Sequence, residues 1–251
     1  MAILQFFGSY PDAVPPMPAD KSALGTLPLH AYQHCEAIRQ ASGTGWYVFP
    51  PSSITLTFDG VAIYVEDEEG GRRASLTHRF LEGFDAHWER IAPADLARDR
   101  IPWIEAISTP GVLQIWSSYF VSTAPGWQIH VRPLPNLFPG HAYGVYEGYV
   151  RTDVFSPAPL FINLKILSTE TSIRIDRFTP LFHVSAAPSD IHARQTSDVV
   201  QIEELGEGFD WEGFRRTSRR RGERSGRGSY GAQIRSQNHR WSPDPEAEGG
   251  S

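Results

Sequence analysis

The chain of 251 residues contains a single cysteine, Cys35, and this scarcity narrows its chemistry. One thiol cannot form an intrachain disulfide or a cysteine metal cluster. Unpaired cysteine is typical of the cytoplasm, where disulfides are rare. We therefore expect a cytoplasmic protein.

Long apolar runs are also missing. No stretch approaches the ~20 apolar residues that a membrane-spanning helix needs. The first residues, MAILQFFGSYPD, lack the basic start and apolar stretch of a signal peptide. We expect no membrane partner.

An overall excess of basic charge is absent too. The formal net charge of -6 argues against nucleic acid as the main partner of the whole chain. The exception lies between Gly213 and Arg235, which contain one acid, Glu223, and eight arginines, at positions 215, 216, 219, 220, 221, 224, 227 and 235. Because such a segment cannot bury enough apolar surface to become ordered, we expect residues 213–251 to form a disordered tail. Nucleic acid or an acidic partner could bind only through residues 213–235.

Short β-rich runs make up most of the remaining sequence. The predicted strands are residues 46–49, 54–58, 61–65, 112–121, 127–131, 144–154, 160–167, 172–175 and 181–185. Asp59-Gly60 is a strong hairpin signal between the second and third of them. Helical spacing of apolar residues predicts helices at Leu29–Ala41 and Leu76–Ile91.

These elements predict the fold class and the domain boundaries. Many short strands with two helices indicate a mainly β fold, a single β-sandwich or jelly-roll-like domain with two flanking helices. This core is expected to span residues 29–212. Residues 1–28, with five prolines between positions 11 and 28, are expected to form an N-terminal arm.

Phe120 to Asn136 is the most informative segment, because a turn at Ala124-Pro125-Gly126 separates two strand-like runs. The second run contains Arg132, whose planar guanidinium can bind a carboxylate or phosphate. Alternatively, Arg132 lies on a solvated face or pairs with a nearby acid. Asn136 follows two prolines and can shape the turn instead of binding a ligand.

Other polar residues are candidates for the same site. Asp153 shares the predicted strand 144–154 with Glu147, and an even spacing puts both on one face. Asn163 and Lys165 alternate with apolar residues and project together. We expect Arg132 to bind an anion, Asn136 to contact the ligand in the same site, and Asp153 to act as a general base. Asn163 and Lys165 would orient the ligand, with Lys165 as a second candidate catalytic residue. Trp46 and Trp127 would supply apolar walls.

The histidines allow a metal hypothesis. His30 and His34 have i, i+4 spacing on the first helix, which suits a metal ion, although no HExxH motif is present. Further ligands could come from His130, His141 or His183. Jelly-roll oxygenases bind iron through two histidines and a carboxylate, but no His-X-Asp or His-X-Glu pair occurs. An iron-dependent oxygenase would therefore need unusual ligands. It stays an alternative, with iron as its cofactor.

The middle of the chain resembles a bacterial family catalogued as domain of unknown function 6065. The resemblance rests on three blocks in order: Phe120, Thr123, Pro125, Gly126, Val131, Arg132, Pro135 and Asn136; then Tyr146-Glu147-Gly148 with Thr152-Asp153; then Ile162-Asn163-Leu164-Lys165. Gly45-Trp46 and Pro50 resemble an earlier element. Ser122, Ala124, Val154 and Leu164 depart from the family pattern. Since the family is uncharacterised, the resemblance implies a shared fold and no particular chemistry.

Together these features favour an enzyme or binding protein for a small polar, anionic metabolite, in a setting such as specialised-metabolite biosynthesis. An iron-dependent oxygenase and a non-enzymatic interaction protein that uses its basic tail are the alternatives. No cofactor is favoured for the leading hypothesis.

Overall fold

The computed structural model describes residues 2–66, 73–138, 140, 142–191, 209–218, 230 and 234. Its strands, in chain order, are β1 (Leu4–Gly8), β2 (Met17–Pro18), β3 (Trp46–Val48), β4 (Ile54–Phe58), β5 (Ile63–Glu66), β6 (Arg73–Ser75), β7 (His78–Arg79), β8 (Ile104–Ala106), β9 (Val112–Thr123), β10 (Trp127–Arg132), β11 (Tyr143–Val145), β12 (Gly148–Val150), β13 (Ala158–Ile166), β14 (Ile173–Ile175) and β15 (Phe182–Pro188). Its helices are α1 (Leu29–His34), α2 (Glu36–Gly43), α3 (Phe84–Ile91) and α4 (Trp211–Ser218).

The described strands pair into three antiparallel sheets. Sheet A has the order β11-β13-β9-β8-β7, with β1 also paired to β9. Sheet B has the order β12-β10-β15-β3-β2, and sheet C the order β14-β4-β5-β6. Short strands with turns between them suit antiparallel pairing, which needs no long crossover connection.

One apolar core joins the three sheets. It contains Leu113 and Leu164 from sheet A, Ile129 and Val184 from sheet B, and Leu56 from sheet C. Burial alternates along β13, where every second residue from Ala158 to Ile166 is buried. This period of two places one face of each strand on the core. The prediction of a mainly β, sandwich or jelly-roll-like fold is confirmed.

The Ala124-Pro125-Gly126 turn carries the chain from sheet A to sheet B, because β9 belongs to the first and β10 to the second. Gly126 has a φ of 79°, which a residue without a Cβ adopts at little cost. The Thr123 hydroxyl donates to the Trp127 carbonyl at 2.7 Å and lies 2.8 Å from the Thr152 hydroxyl. The turn predicted from sequence is therefore a crossing between sheets, fastened by side chains.

A bulge bends β9 before this turn. Trp116 pairs with Phe161 and Phe120 with Pro159, so three residues of β9 face the single residue Leu160. Ser118, in the middle, has a φ of 62°. The Ser117 hydroxyl donates to the Leu160 carbonyl at 3.0 Å, which satisfies a buried group that the bulge leaves outside the ladder.

The chain divides into two compact units, residues 1–19 with 44–196, and residues 20–43 with 197–251. The three sheets belong to the first unit. The domain boundaries at residues 28 and 212 stay predictions. Apart from residues 213–218, Tyr230 and Ile234, the predicted disordered tail lies outside the described residues.

The N-terminal segment differs from the predicted arm. β1 pairs with β9 and β2 pairs with β3, so much of residues 4–18 is built into the sheets. Pro18 lies on an edge strand, where proline removes no ladder hydrogen bond that the sheet needs.

Both predicted helices are shorter than expected. The first is interrupted at Cys35, which has extended backbone angles, and becomes α1 and α2. The second begins only at Phe84, because His78 and Arg79 pair with β8 instead. Gly83, with a φ of 69°, precedes the helix. Strand pairing therefore overrides the helical spacing of Leu76–Gly83.

The predicted strand 144–154 is also wrong. β11 pairs with β13 in sheet A, whereas β12 pairs with β10 in sheet B. Glu147 lies between these strands, and Asp153 lies in a turn closed by the Val154 amide and the Arg151 carbonyl. The two acids thus do not share a strand face. Among the described residues, no helix has the length and apolar character needed to cross a membrane.

Replacing a core side chain should test this packing. Leu164→Ala removes a fully buried side chain and should lower the free energy of unfolding by about 2–5 kcal/mol. The matched control Leu167→Ala, at a side chain that is 62% exposed, should change it by less than about 0.5 kcal/mol. Urea unfolding measures both, and equal losses would contradict the described core.

Candidate functional site

Strand β10 places a row of polar side chains on the face of sheet B that points away from the shared core. Ile129 and Val131 enter the core, so the alternating residues Gln128, His130 and Arg132 lie on the opposite face of the sheet, where Gln128 is fully buried and the other two are partly buried. His130 lies opposite Tyr149 on β12 and Ser185 on β15. Directly opposite residues in antiparallel strands project to the same face, so these side chains surround His130. We call this set the β10 polar face.

Glu147 and Tyr149 hold the His130 ring from two sides. The Glu147 carboxylate lies 2.6 Å from His130 Nε2, and the ring stacks on Tyr149 with centroids 4.3 Å apart and planes 9° from parallel. An ionised carboxylate only accepts hydrogen bonds, so Nε2 carries the proton and Nδ1 is the ring atom that remains to exchange one. His130 and Glu147 are arranged like the base and its orienting carboxylate in many hydrolases.

Arg132 is fixed by a fully buried histidine. Its Nε donates to His183 Nδ1 at 3.3 Å, and His183 Nε2 contacts the Thr44 carbonyl. Nδ1 accepts and Nε2 donates in this chain, so one neutral tautomer of His183 satisfies both contacts. A small apolar cluster of Tyr47, Phe49 and Leu134 lies on the same side of the sheet, and the Tyr47 ring is edge-on to His183.

Gly45 makes room for this histidine. A Cβ at Gly45 would lie 2.5 Å from His183 Cε1 and from the Val184 carbonyl oxygen. Its φ of 95° is also a conformation that side chains rarely adopt. The Gly45-Trp46 pair singled out in the sequence is therefore needed for close packing on His183.

The environment of His183 keeps it uncharged. Burial, together with the nearby Arg132 charge, lowers the pKa of His183 from 6.5 to about 4. A carboxylate partner would neutralise the charge of the Arg132 guanidinium, whereas the neutral imidazole of His183 positions the guanidinium without doing so. The hydrogen bond to His183 thus orients the Arg132 guanidinium, a group whose planar shape suits a carboxylate or phosphate.

Asp153 and Asn136 serve the turns near this face. Arg151 makes two hydrogen bonds to the Asp153 carboxylate, at 2.8 and 3.0 Å. The hydrogen bond from Arg151 lowers the pKa of Asp153, and a weaker base is less suited to accept protons. Asn136 has a φ of 58°, so it shapes the turn after Arg132. The hypothesis of Asp153 as general base loses its physical support.

Asn163 and Lys165 lie in sheet A, on the side of β13 that points away from the core. The Asn163 carbonyl oxygen accepts from Gln114 at 3.0 Å, and Lys165 Nζ donates to the Pro110 carbonyl at 2.6 Å. Arg132 projects from the outward face of a different sheet. The structure therefore does not bring the predicted site residues together.

The predicted apolar walls are on the wrong face as well. Trp127 has the same strand parity as Ile129 and Val131, and Trp46 lies opposite the core residue Val184. Both rings thus project to the side of sheet B opposite Arg132. Trp46 packs edge-on against Phe6, with centroids 6.0 Å apart.

The histidines do not form a metal site in the described part of the chain. His30 and His34 do lie close together on α1, with ring centroids 4.8 Å apart. Among the described residues, however, no group of three or more His, Cys, Asp or Glu is placed to hold a metal ion. His141 lies outside those residues. The iron-dependent oxygenase hypothesis gains no supporting ligand set.

A second feature that the sequence did not indicate is a cleft of about 890 Å³ beside sheet C. Its lining includes Ser53, Thr55, Glu66, Arg79, Phe80 and Trp103. These residues come from several strands and loops, and no spacing along the chain connects them. The cleft shares no lining residue with the β10 polar face.

Comparisons with known proteins give no family. No protein-family model matches the chain, and no curated protein matches it. Among solved structures, the dUTPase of phage phi11 of S. aureus is 12% identical with a TM-score of 0.37, covering 82% of this chain and 99% of that one. The Staphylococcus bacteriophage 80alpha dUTPase is 11% identical with a TM-score of 0.37, covering 81% and 97%. A likeness at this level assigns no residue role and no reaction. The resemblance to family 6065 stays a prediction.

The neutral state of His183 predicts a loss of stability in acid. Its pKa is about 4 in the folded chain and near 6.5 when unfolded, so the unfolded chain binds the proton more readily. The stabilisation is complete above pH 6.5 and falls as the pH drops toward 4, by about 3 kcal/mol in all.

Urea unfolding between pH 7.5 and 4 measures this loss. His183→Gln should show a flatter pH dependence, whereas the exposed control His30→Gln should follow the wild-type curve. An unchanged slope in His183→Gln would show that other groups cause the acid sensitivity.

Proposed function

We propose that this chain acts on a small polar, anionic molecule at the β10 polar face, as an enzyme or as a binding protein. Arg132 holds the anionic group, and His130 exchanges a proton with the bound molecule. The observation that carries the proposal is the 2.6 Å contact between His130 Nε2 and the Glu147 carboxylate. His130 lies two residues before Arg132, on the same face of β10.

The arrangement supports proton transfer next to a fixed cation. Glu147 fixes the ring orientation of His130 and would stabilise the imidazolium that forms when Nδ1 accepts a proton. The neutral His183 orients the Arg132 guanidinium by accepting a hydrogen bond from its Nε. The Ser185 hydroxyl, opposite His130, adds a polar group that can contact the ligand.

A cytoplasmic location and a role in metabolite biosynthesis stay predictions beside this proposal. So does the interaction of an acidic partner or nucleic acid with residues 213–235, which lie largely outside the described part of the chain.

Inorganic phosphate is the simplest probe of the anion site. Titration followed by NMR should shift the ring signals of His130 and leave those of the exposed His30 unchanged. Arg132→Gln should weaken phosphate affinity at least about tenfold, because a hydrogen-bonded charge is lost. Arg98→Gln, at an exposed arginine on another surface, is the matched control.

Arg132→Lys keeps the charge and gives a second variant if the glutamine variant does not fold. It should bind phosphate with intermediate affinity, because a lysine cannot reproduce the bidentate guanidinium. Phosphate binding that is equal in wild type and Arg132→Gln, with no change at His130, would contradict the proposal.

A further inference from the structure

The cleft beside sheet C has one aromatic wall that is fixed before any ligand binds. Phe80 is 38% exposed, and the Arg100 guanidinium lies over its ring, 5.1 Å from the centroid. The His78 ring packs edge-on against it, with centroids 5.4 Å apart. Arg100 is itself ion-paired with Asp85. An exposed ring held by such contacts loses little freedom when a ligand stacks on it.

Trp103 supplies apolar surface next to Phe80 in the lining. It is 5% exposed, and its backbone amide donates to the Arg79 carbonyl at 2.9 Å. This bond ties the loop before β8 to the end of β7, where Arg79 and Phe80 follow one another. The aromatic surface and the nearby cation therefore belong to one rigid corner.

Arg79 brings a positive charge into the cleft. Its guanidinium makes no hydrogen bond or ion pair with another residue in the described part of the chain. Arg174, which also lines the cleft, is 3.4 Å from Asp176 and is largely exposed. Arg79 is thus the better placed of the two to meet an acidic group.

Glu66 supplies an acidic group on the strand side of the cleft, opposite in charge to Arg79. Its carboxylate accepts hydrogen bonds from the Thr57 hydroxyl and, at 2.7 Å, from the Ser172 hydroxyl. Two hydroxyl donors hold the carboxylate in one orientation. Its carboxylate makes this side of the cleft a hydrogen-bond acceptor.

We propose that this cleft binds a flat aromatic acid, with the ring against Phe80 and Trp103 and the acidic group at Arg79. A hydrogen-bond donor on the same molecule would meet Glu66. The volume of about 890 Å³ fits an organic molecule larger than a single ring. This site is independent of the β10 polar face, so either one can be wrong while the other holds.

Phenyl phosphate tests the combination of ring and acid. Calorimetric titration should show binding, whereas methyl phosphate and phenol, each lacking one feature, should bind at least about tenfold more weakly. Arg79→Gln should weaken the affinity for phenyl phosphate by a similar factor. Phe80→Ala should reduce the difference in affinity between phenyl phosphate and methyl phosphate, because the ring contact is lost.

The controls separate this site from the other one. Arg98→Gln should leave phenyl phosphate binding unchanged, and Arg132→Gln should lower the affinity for inorganic phosphate without affecting the cleft. Arg79→Lys is the second variant, expected to keep part of the affinity.

Three outcomes would overturn the inference. Phenyl phosphate does not bind; methyl phosphate binds as tightly as phenyl phosphate; or Arg79→Gln leaves the affinity unchanged while the Arg132 variant abolishes it. The last result would place all anion binding at the β10 polar face.

Discussion

The passage of the chain from β9 to β10 is the constraint on which much of the structure depends. Within three residues the backbone leaves the bulged strand of sheet A and enters sheet B. Thr123 and Thr152 fasten the start of this crossing, and the Ser189 amide donates to the Gly126 carbonyl at its end. Because the crossing sets where β10 begins, it also sets which of its residues enter the core. The polar row of His130 and Arg132 follows from that setting.

Features of the fold that depend on local chemistry can be predicted from the sequence. A hairpin at Asp59-Gly60 joins β4 and β5 as predicted, although its loop spans residues 59–62 and β5 begins at Ile63 instead of Val61. Buried residues alternate along β13 as its sequence predicts. Strands that the sequence does not predict, such as β1 and β7, are short and contain little apolar alternation. They are strands because β9 and β8 offer them partners, and a pairing between distant residues leaves no local pattern.

The candidate site also depends on pairings between distant residues, which the sequence does not reveal. Arg132 was recognisable as a cation within an apolar strand, but its neighbours depend on the register of β10 with β12 and β15. Even spacing predicts one strand face for Glu147 and Asp153, whereas Glu147 lies where the chain passes from sheet A to sheet B and Asp153 lies in the turn after β12. Residues of the cleft, such as Glu66 and Arg79, are brought together only by tertiary packing.

The alternation of β10 has an evolutionary consequence. The odd-numbered residues Ile129 and Val131 belong to the core, and the even-numbered residues His130 and Arg132 form the polar row. The position of each residue along the strand therefore decides which face it occupies. Inserting or deleting a single residue inside this strand would turn His130 or Arg132 inward and an isoleucine or valine outward. Drift at this site is therefore confined to substitutions, while length changes can accumulate only in the loops on either side.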